Sequence, residues 1–194
     1  MAQHYGSLLQ TLRGRDLATG QRSTIGVTSV HSGAGATTVA QNLGWRAASE
    51  EASTLVVDLD FSRRDLTRRF GGQRKTPGFL EFLESEVDLD DCLQATEDQY
   101  LPLLSGGEGN GLASPNVTQH VLAELEARFD LVIFDLPPVS EVGLWQAFGP
   151  HFDAMLLVLE AEREDQRTVL DAKRQLQDAG IEITGAVWNK QRIR

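Results

Sequence analysis

Cysteine is almost absent from this 194-residue sequence, in which Cys92 is the only one. A single chain therefore has neither a disulfide framework nor a cysteine zinc site, which is typical of a reducing compartment. No apolar stretch approaches the roughly 20 residues that a membrane-spanning helix needs, and the amino terminus has no apolar signal-peptide core. We expect a cytoplasmic protein without direct membrane insertion.

Positive charge is also scarce. The net charge is −10, which disfavours broad electrostatic attraction to nucleic acid or anionic lipid. The basic run "RRDLTRRF" (63–70) is a local exception, and we interpret it as a solvated face. A hydrophobic content of 41% is ordinary for a globular protein. We expect one domain over residues 1–194, in which residues 1–20 form an amino-terminal helix and linker.

Apolar runs alternate with amphipathic segments along the chain. Strands are predicted over 24–30, 53–60, 100–106, 129–137, 154–161 and 183–189. Helices are predicted over 2–13, 37–50, 117–128 and 163–179. This alternation predicts an α/β fold, a three-layer sandwich with a mostly parallel sheet.

The first strand leads into a glycine-rich turn, "HSGAGATT" (31–38). Small residues at Gly33, Ala34 and Gly35 let backbone N–H groups face an anion, and the following helix adds its partial positive charge. Thr37 stands where a phosphate-binding loop places the hydroxyl that binds Mg²⁺, and Ala36 stands where such a loop places its lysine.

Two further apolar strands end in carboxylates. "LVVDLD" supplies Asp58 and Asp60, and "LVIFDLPP" supplies Asp135. The carboxyl ends of parallel strands meet at the ligand edge of a sheet. Thr37, Asp58 and Asp135 are therefore predicted to surround one hard cation.

These motifs resemble the cytoplasmic domain of bacterial tyrosine kinases of capsule and exopolysaccharide systems, a branch of the MinD/ParA-like P-loop ATPases. The family loop, T-S-x-x-P-G-E-G-K-S-T, corresponds to residues 28–38. The family's D-x-D, D-x-P-P and G-x-V-x-N motifs match Asp58 and Asp60, Asp135 with Pro137 and Pro138, and Gly185, Val187 and Asn189.

The resemblance implies a P-loop NTPase fold, ATP and Mg²⁺ as cofactors, and control of polysaccharide polymerisation and export. It implies nucleotide binding by Gly33, Ala34, Gly35, Ala36, Thr37, Thr38 and the base-contacting Asn189. It also implies catalysis by Asp58 and Asp60 if the domain is active. The implied partner is a membrane polysaccharide co-polymerase or another protein of the exopolysaccharide system. A co-polymerase would hold the chain peripherally at the inner membrane, and a homo-oligomer is left open.

Departures from the family pattern concern catalysis. Besides Ala36, the loop has Ser32 and Ala34 for the family's proline and glutamate, and Tyr5 and Tyr100 are the only tyrosines. We therefore predict a regulatory or scaffolding domain with weakened or absent ATP-dependent catalysis. The alternatives are an active Mg-ATP-dependent tyrosine kinase or ATPase, and a MinD/ParA-like positioning ATPase.

Another cation could replace the loop lysine. Arg63 and Arg64 could swing toward phosphates, although a surface ion pair is at least as good an interpretation. Among the lysines, Lys75, Lys173 and Lys190, the last follows Asn189, and we expect it near the base rather than the γ phosphate.

Overall fold

A computed structural model describes residues 2–16, 22–72, 77–108, 115–141 and 144–190. The strands are β1 (Ser23–Ser29), β2 (Thr54–Asp58), β3 (Leu93–Gln94), β4 (Leu103–Leu104), β5 (Leu131–Asp135), β6 (Ala154–Glu160) and β7 (Gly185–Asn189). The helices are α1 (Ala2–Asp16), α2 (Ala36–Ala48), α3 (Asp65–Arg69), α4 (Phe79–Leu83), α5 (Leu89–Cys92), α6 (Pro115–Arg128), α7 (Trp145–Phe148) and α8 (Gln166–Asp178).

The strands form one sheet of seven in the order β3-β4-β2-β5-β1-β6-β7. All pairs are parallel except β3–β4, which is antiparallel. The strands β1, β2 and β5 are buried along their whole length because helices cover both faces of the sheet. The predicted α/β fold with a mostly parallel sheet is confirmed.

Two apolar clusters lie on opposite faces of the sheet. Alternate residues of β5 divide between them: Val132 and Phe134 pack in the cluster with α4 to α8, and Leu131 and Ile133 pack in the cluster with α1 to α3. This alternation follows from the two-residue period of a strand. It gives the three layers of the predicted sandwich.

The basic run 63–70 differs from its prediction as a solvated face. Its middle forms the short helix α3, in which Leu66 and Thr67 are fully buried. Five residues are too few for a helical pattern to be read from sequence. The short antiparallel strand β3 was also not predicted.

Some of the sequence predictions concern residues that the structure does not describe. Lys75, the linker residues 17–20 and most of the glycine-rich segment 106–116 lie outside the described residues. Within the described residues, no helix combines the length and apolarity that crossing a membrane requires.

Candidate nucleotide-binding site

The glycine-rich loop connects β1 to α2, and two of its residues have left-handed backbone conformations. Gly33 has a φ of 86° and Gly35 a φ of 106°, values that favour glycine. A Cβ at Gly33 would meet no atom within 4 Å, whereas one at Gly35 would lie 2.0 Å from Asn189 Nδ2. Gly35 is therefore required both by its backbone conformation and by the close approach of Asn189.

Side chains from the neighbouring strand β7 and from the loop itself fix this turn. Asn189 Nδ2 donates a hydrogen bond to the Ala34 carbonyl at 2.8 Å, and Lys190 Nζ donates to the Gly33 carbonyl at 2.6 Å. His31 Nε2 lies 2.8 Å from a Glu164 carboxylate oxygen. The loop is thus held in shape by contacts within this chain.

A cavity of about 360 Å³ opens at the carboxyl ends of the strands, beside this loop. Its lining residues include Gly33, Gly35, Ala36, Thr37, Thr38, Asp60 and Asn189 from the predicted set, together with Arg63, Arg69 and Lys190. Ala34, Asp58 and Asp135 are buried and are not among the residues that line it. The structure therefore brings most of the predicted nucleotide-binding residues to one cavity.

Asp58 is buried and fully hydrogen-bonded. Its Oδ2 accepts hydrogen bonds from the backbone N–H and the hydroxyl of Thr67, at 2.8 and 2.6 Å, and its Oδ1 accepts from the Asp60 N–H at 3.2 Å. Burial raises the pKa of Asp58, and the hydrogen bonds from Thr67 oppose this rise. In this structure Asp58 anchors α3 to the end of β2.

Asp135 is buried to 1% exposure, and neither of its carboxylate oxygens accepts a hydrogen bond from the described residues. Burial, and then the charge of Asp58, raise the pKa of Asp135 well above its ordinary value, and the neighbouring Thr37 hydroxyl opposes this rise. An unpaired buried carboxylate is costly unless it is protonated or faces a cation. This orphaned group fits a divalent cation, which would relieve that cost.

The residues present fit Mg²⁺ bound together with a nucleotide. Mg²⁺ typically takes one or two carboxylates and completes its shell with water and substrate phosphates. Among the described residues no group of three acidic, histidine or cysteine side chains is arranged to hold a metal alone. Thr37 and Asp135 would face the ion, which would neutralise phosphate charge, and the assignment of Thr37, Asp58 and Asp135 as metal ligands stays a prediction.

The missing loop lysine leaves a small apolar side chain in the cavity wall. Ala36 is the first residue of α2 and is 7% exposed. The basic side chains that line the cavity come instead from α3, from the turn before it and from the end of β7.

Arg63 is held by two carboxylates. Its Nη1 lies 2.9 Å from Asp60 Oδ2 and 3.1 Å from Glu141 Oε2, while its Nη2 pairs with the other oxygen of Glu141. Hydrogen bonds to Glu141 and then to Asp60 raise the pKa of Arg63. Glu141 was not predicted as part of the site, and its position three residues after the D-x-P-P motif was the only sequence signal.

Lys190 and Arg69 complete the basic set. Lys190 was predicted to lie near the base because it follows Asn189. In the structure its Nζ lies against the loop and also pairs with Glu160 Oε1 at 3.2 Å. Arg69 Nη1 donates to Thr38 Oγ1 at 3.0 Å and to Gln41 Oε1 at 3.1 Å. Sequence reasoning missed Arg69, because it lies in the run interpreted as a solvated face.

Curated proteins of known name are similar to this chain over most of its length. No protein-family model matches it. The tyrosine-protein kinase CpsD of Streptococcus pneumoniae serotype 4 is 29% identical over 196 residues, covering 97% of this chain and 83% of the relative. Further curated relatives are also named as bacterial tyrosine-protein kinases.

Solved structures agree on the fold. The kinase domain of the Escherichia coli tyrosine kinase ETK superposes with a TM-score of 0.83 at 21% identity, covering 100% of this chain and 78% of that one. A chain of the MinC:MinD cell division protein complex of Aquifex aeolicus superposes with a TM-score of 0.75 at 22% identity, covering 88% of this chain and 69% of that one. The resemblance read from the motifs is therefore confirmed: the chain shares the fold of bacterial tyrosine kinase domains and of MinD, and its curated relatives are named as bacterial tyrosine-protein kinases.

Proposed function

We propose that this chain is a tyrosine-kinase-like P-loop domain with weakened or absent phosphoryl transfer, which regulates or scaffolds capsule or exopolysaccharide polymerisation and export. The observation that carries this proposal is Ala36, which lines the cavity at the first position of α2. A phosphate-binding loop places there the lysine that reaches the β and γ phosphates.

The cost of this replacement falls more on catalysis than on binding. One charge-assisted contact contributes about 1.5–3 kcal/mol to binding. Loss of one donor that faces developing charge costs about 10²–10³ in rate. Backbone N–H groups of the loop and the first turn of α2 remain available to phosphates, so weak binding of Mg-ATP is retained while turnover suffers.

The proposed partner is a membrane polysaccharide co-polymerase, which would hold this cytoplasmic domain peripherally at the inner membrane. The similarity to bacterial tyrosine kinases over 97% of the chain supports this partner class. Homo-oligomers are compatible with the same role. The net charge of −10 favours a protein partner over nucleic acid.

The test measures ATP-dependent phosphorylation of a tyrosine substrate by the natural chain, Ala36→Lys and Asp135→Asn. We expect phosphorylation by the natural chain to be slow or undetectable, Asp135→Asn to be no faster, and Ala36→Lys to be faster than the natural chain by about 10²-fold or more. Binding to the cytoplasmic part of a co-polymerase should be equal in the natural chain and Asp135→Asn. Rapid phosphorylation by the natural chain that Asp135→Asn abolishes would exclude the proposal.

An active Mg-ATP-dependent tyrosine kinase or ATPase is the second candidate. The observation that favours it is the unpartnered carboxylate of Asp135, close to a cavity that is lined by other basic side chains. Under this candidate the natural chain turns over ATP, and Asp135→Asn removes that turnover. The same assay therefore separates the two functions.

A further inference from the structure

The cavity beside the loop lacks a lysine from α2, so any phosphate-facing charge must come from another element. Three basic side chains line this cavity, namely Arg63, Arg69 and Lys190. They differ in the groups that already pair with their positive charges. That difference decides which of them is available to an anion.

Arg63 has its charge matched by acidic neighbours. Its guanidinium binds both oxygens of Glu141 and one oxygen of Asp60. Turning Arg63 toward a phosphate would leave two carboxylates without their shared partner. Arg63 therefore joins the segment after β2 to the segment after β5, and its charge is not available to an anion.

The ammonium of Lys190 is also bound by neighbouring groups of this chain. Its ammonium lies 3.2 Å from Glu160 Oε1 and 2.6 Å from the Gly33 carbonyl oxygen. Both contacts hold the outer side of the loop to the ends of β6 and β7. Movement of Lys190 toward an anion would release the loop from this support.

Arg69 has neutral partners. Its Nη1 donates to the Thr38 hydroxyl and the Gln41 amide oxygen, and within the described ranges no carboxylate forms an ion pair with it. Its charge is felt at the site, since it lowers the pKa of buried Asp135 against the effect of burial. A charge-assisted hydrogen bond to phosphate is stronger than these bonds to neutral acceptors.

The position of Arg69 is fixed from both sides along the chain. Thr67, two residues before it, is hydrogen-bonded to Asp58 through its N–H and its hydroxyl. Phe70, the next residue, stacks on Trp45 of α2 with ring centroids 5.5 Å apart. The first contact holds α3 to the end of β2, and the second holds Phe70 against the third turn of α2. The Arg69 guanidinium itself reaches Thr38 and Gln41, near the amino-terminal end of α2 where an anion would bind.

We infer that Arg69 is the phosphate-binding cation of this site and takes the role of the absent loop lysine. Its ligand is the polyphosphate of a nucleoside di- or triphosphate, and the inference rests on the nucleotide binding in the proposed function. On binding, Arg69 exchanges Thr38 and Gln41 for phosphate oxygens. A planar guanidinium can bind two oxygens of one phosphate through two parallel N–H donors, a geometry that a lysine ammonium does not have.

The test is calorimetric titration of the full chain with Mg-ATP. Arg68→Met is the matched control, because Arg68 lies on the same helix, pairs with Asp65 and does not line the cavity. We expect Arg69→Met to weaken binding by about 10- to 100-fold, and Arg68→Met to change it by less than about twofold. Arg69→Lys should fall between the natural chain and Arg69→Met.

A double-substitution cycle gives an independent readout. If Arg69 performs the task of the missing lysine, Ala36→Lys should restore most of the affinity lost in Arg69→Met, and should gain less in the natural chain. Equal affinities of Arg69→Met and Arg68→Met would overturn the inference and leave nucleotide binding intact. A natural chain that does not bind Mg-ATP would also overturn it, whereas the scaffolding role would still be decided by binding to the co-polymerase.

Discussion

Asp58 and Asp135 are register partners on the adjacent parallel strands β2 and β5, yet among the described residues only Asp58 has donors within hydrogen-bond distance. The same strand-end position therefore serves two purposes. Asp58 organises α3, which presents Arg69 to the cavity. Asp135 stays unpartnered, and its buried carboxylate is the feature of the site that favours a bound cation.

The first prediction concerns the pH dependence of stability in the metal-free protein. The pKa of Asp135 is raised on folding, so the folded state holds the Asp135 proton more tightly than the unfolded state does. The stabilisation that this gives is fully present below the unfolded pKa of about 3.9 and is lost as pH rises through the folded pKa. We expect Asp135→Asn to gain stability relative to the natural chain as pH rises above about 4.

Denaturant unfolding over a pH series in EDTA measures this difference. Asp171→Asn makes the same chemical change on the exposed face of α8, where the Asp171 side chain is 53% exposed. Its profile should stay parallel to that of the natural chain. Parallel profiles for Asp135→Asn as well would contradict the raised pKa.

The second prediction separates the structural role of Asp58 from metal binding. Asp58→Ala leaves the N–H and the hydroxyl of Thr67 without an acceptor, although Thr67 is fully buried. We expect a loss of about 1–3 kcal/mol of unfolding free energy. Denaturant unfolding without nucleotide or Mg²⁺ measures it, and an unchanged midpoint would mean that Asp58 does not anchor α3.

The sequence was informative where a candidate site residue adjoins a strong local pattern. Asp58, Asp60 and Asp135 follow continuous apolar strands, and Gly33 and Gly35 lie between a strand and a helix. These positions follow from the topology of a parallel sheet, which gathers strand ends at one edge. The alternation of strands and helices predicted the sandwich for the same reason.

The sequence was uninformative where the site depends on tertiary contacts. Asn189 and Ala34 are 155 positions apart, and Arg63 and Glu141 are 78 apart. Arg69 lies in a run with four arginines, and nothing local distinguishes it from Arg68, which pairs with Asp65 instead. Only the packing of α3 on α2 decides which of these arginines faces the cavity.

The third prediction concerns the glycines of the loop. Gly35→Ala forces both a left-handed alanine and a Cβ 2.0 Å from Asn189 Nδ2, whereas Gly33→Ala meets no atom. We expect Gly33→Ala to cost about 1–2 kcal/mol of unfolding free energy from backbone strain alone, and Gly35→Ala to cost more.

Denaturant unfolding of both variants, with Asn189→Ala in each background, tests the cause. Asn189→Ala should recover part of the loss in Gly35→Ala because it removes the clashing amide. The same change should recover nothing in Gly33→Ala. Equal losses for the two glycine variants would show that the approach of Asn189 does not constrain the loop.

The last prediction links the orphaned carboxylate to ligand-dependent stability. A ligand that binds only the folded state adds RT ln(1 + [L]/Kd), about 2.7 kcal/mol at a concentration of 100 Kd. If Mg²⁺ neutralises Asp135 beside the nucleotide, Mg-ADP should raise the unfolding temperature of the natural chain, and ADP with EDTA should raise it much less. Asp135→Asn should lose the magnesium-dependent part, because an amide is a weaker ligand for a hard cation.

Thermal unfolding at a fixed pH, with Asp171→Asn beside the natural chain, measures these shifts. Asp171→Asn should keep the full effect of Mg-ADP, since Asp171 lies on an exposed face of α8. An equal shift with and without Mg²⁺ would mean that the nucleotide is held by the loop and its neighbouring cations alone. In that case the raised pKa of Asp135 would result from burial and the charge of Asp58 alone, and Asp135 would have no metal-binding role.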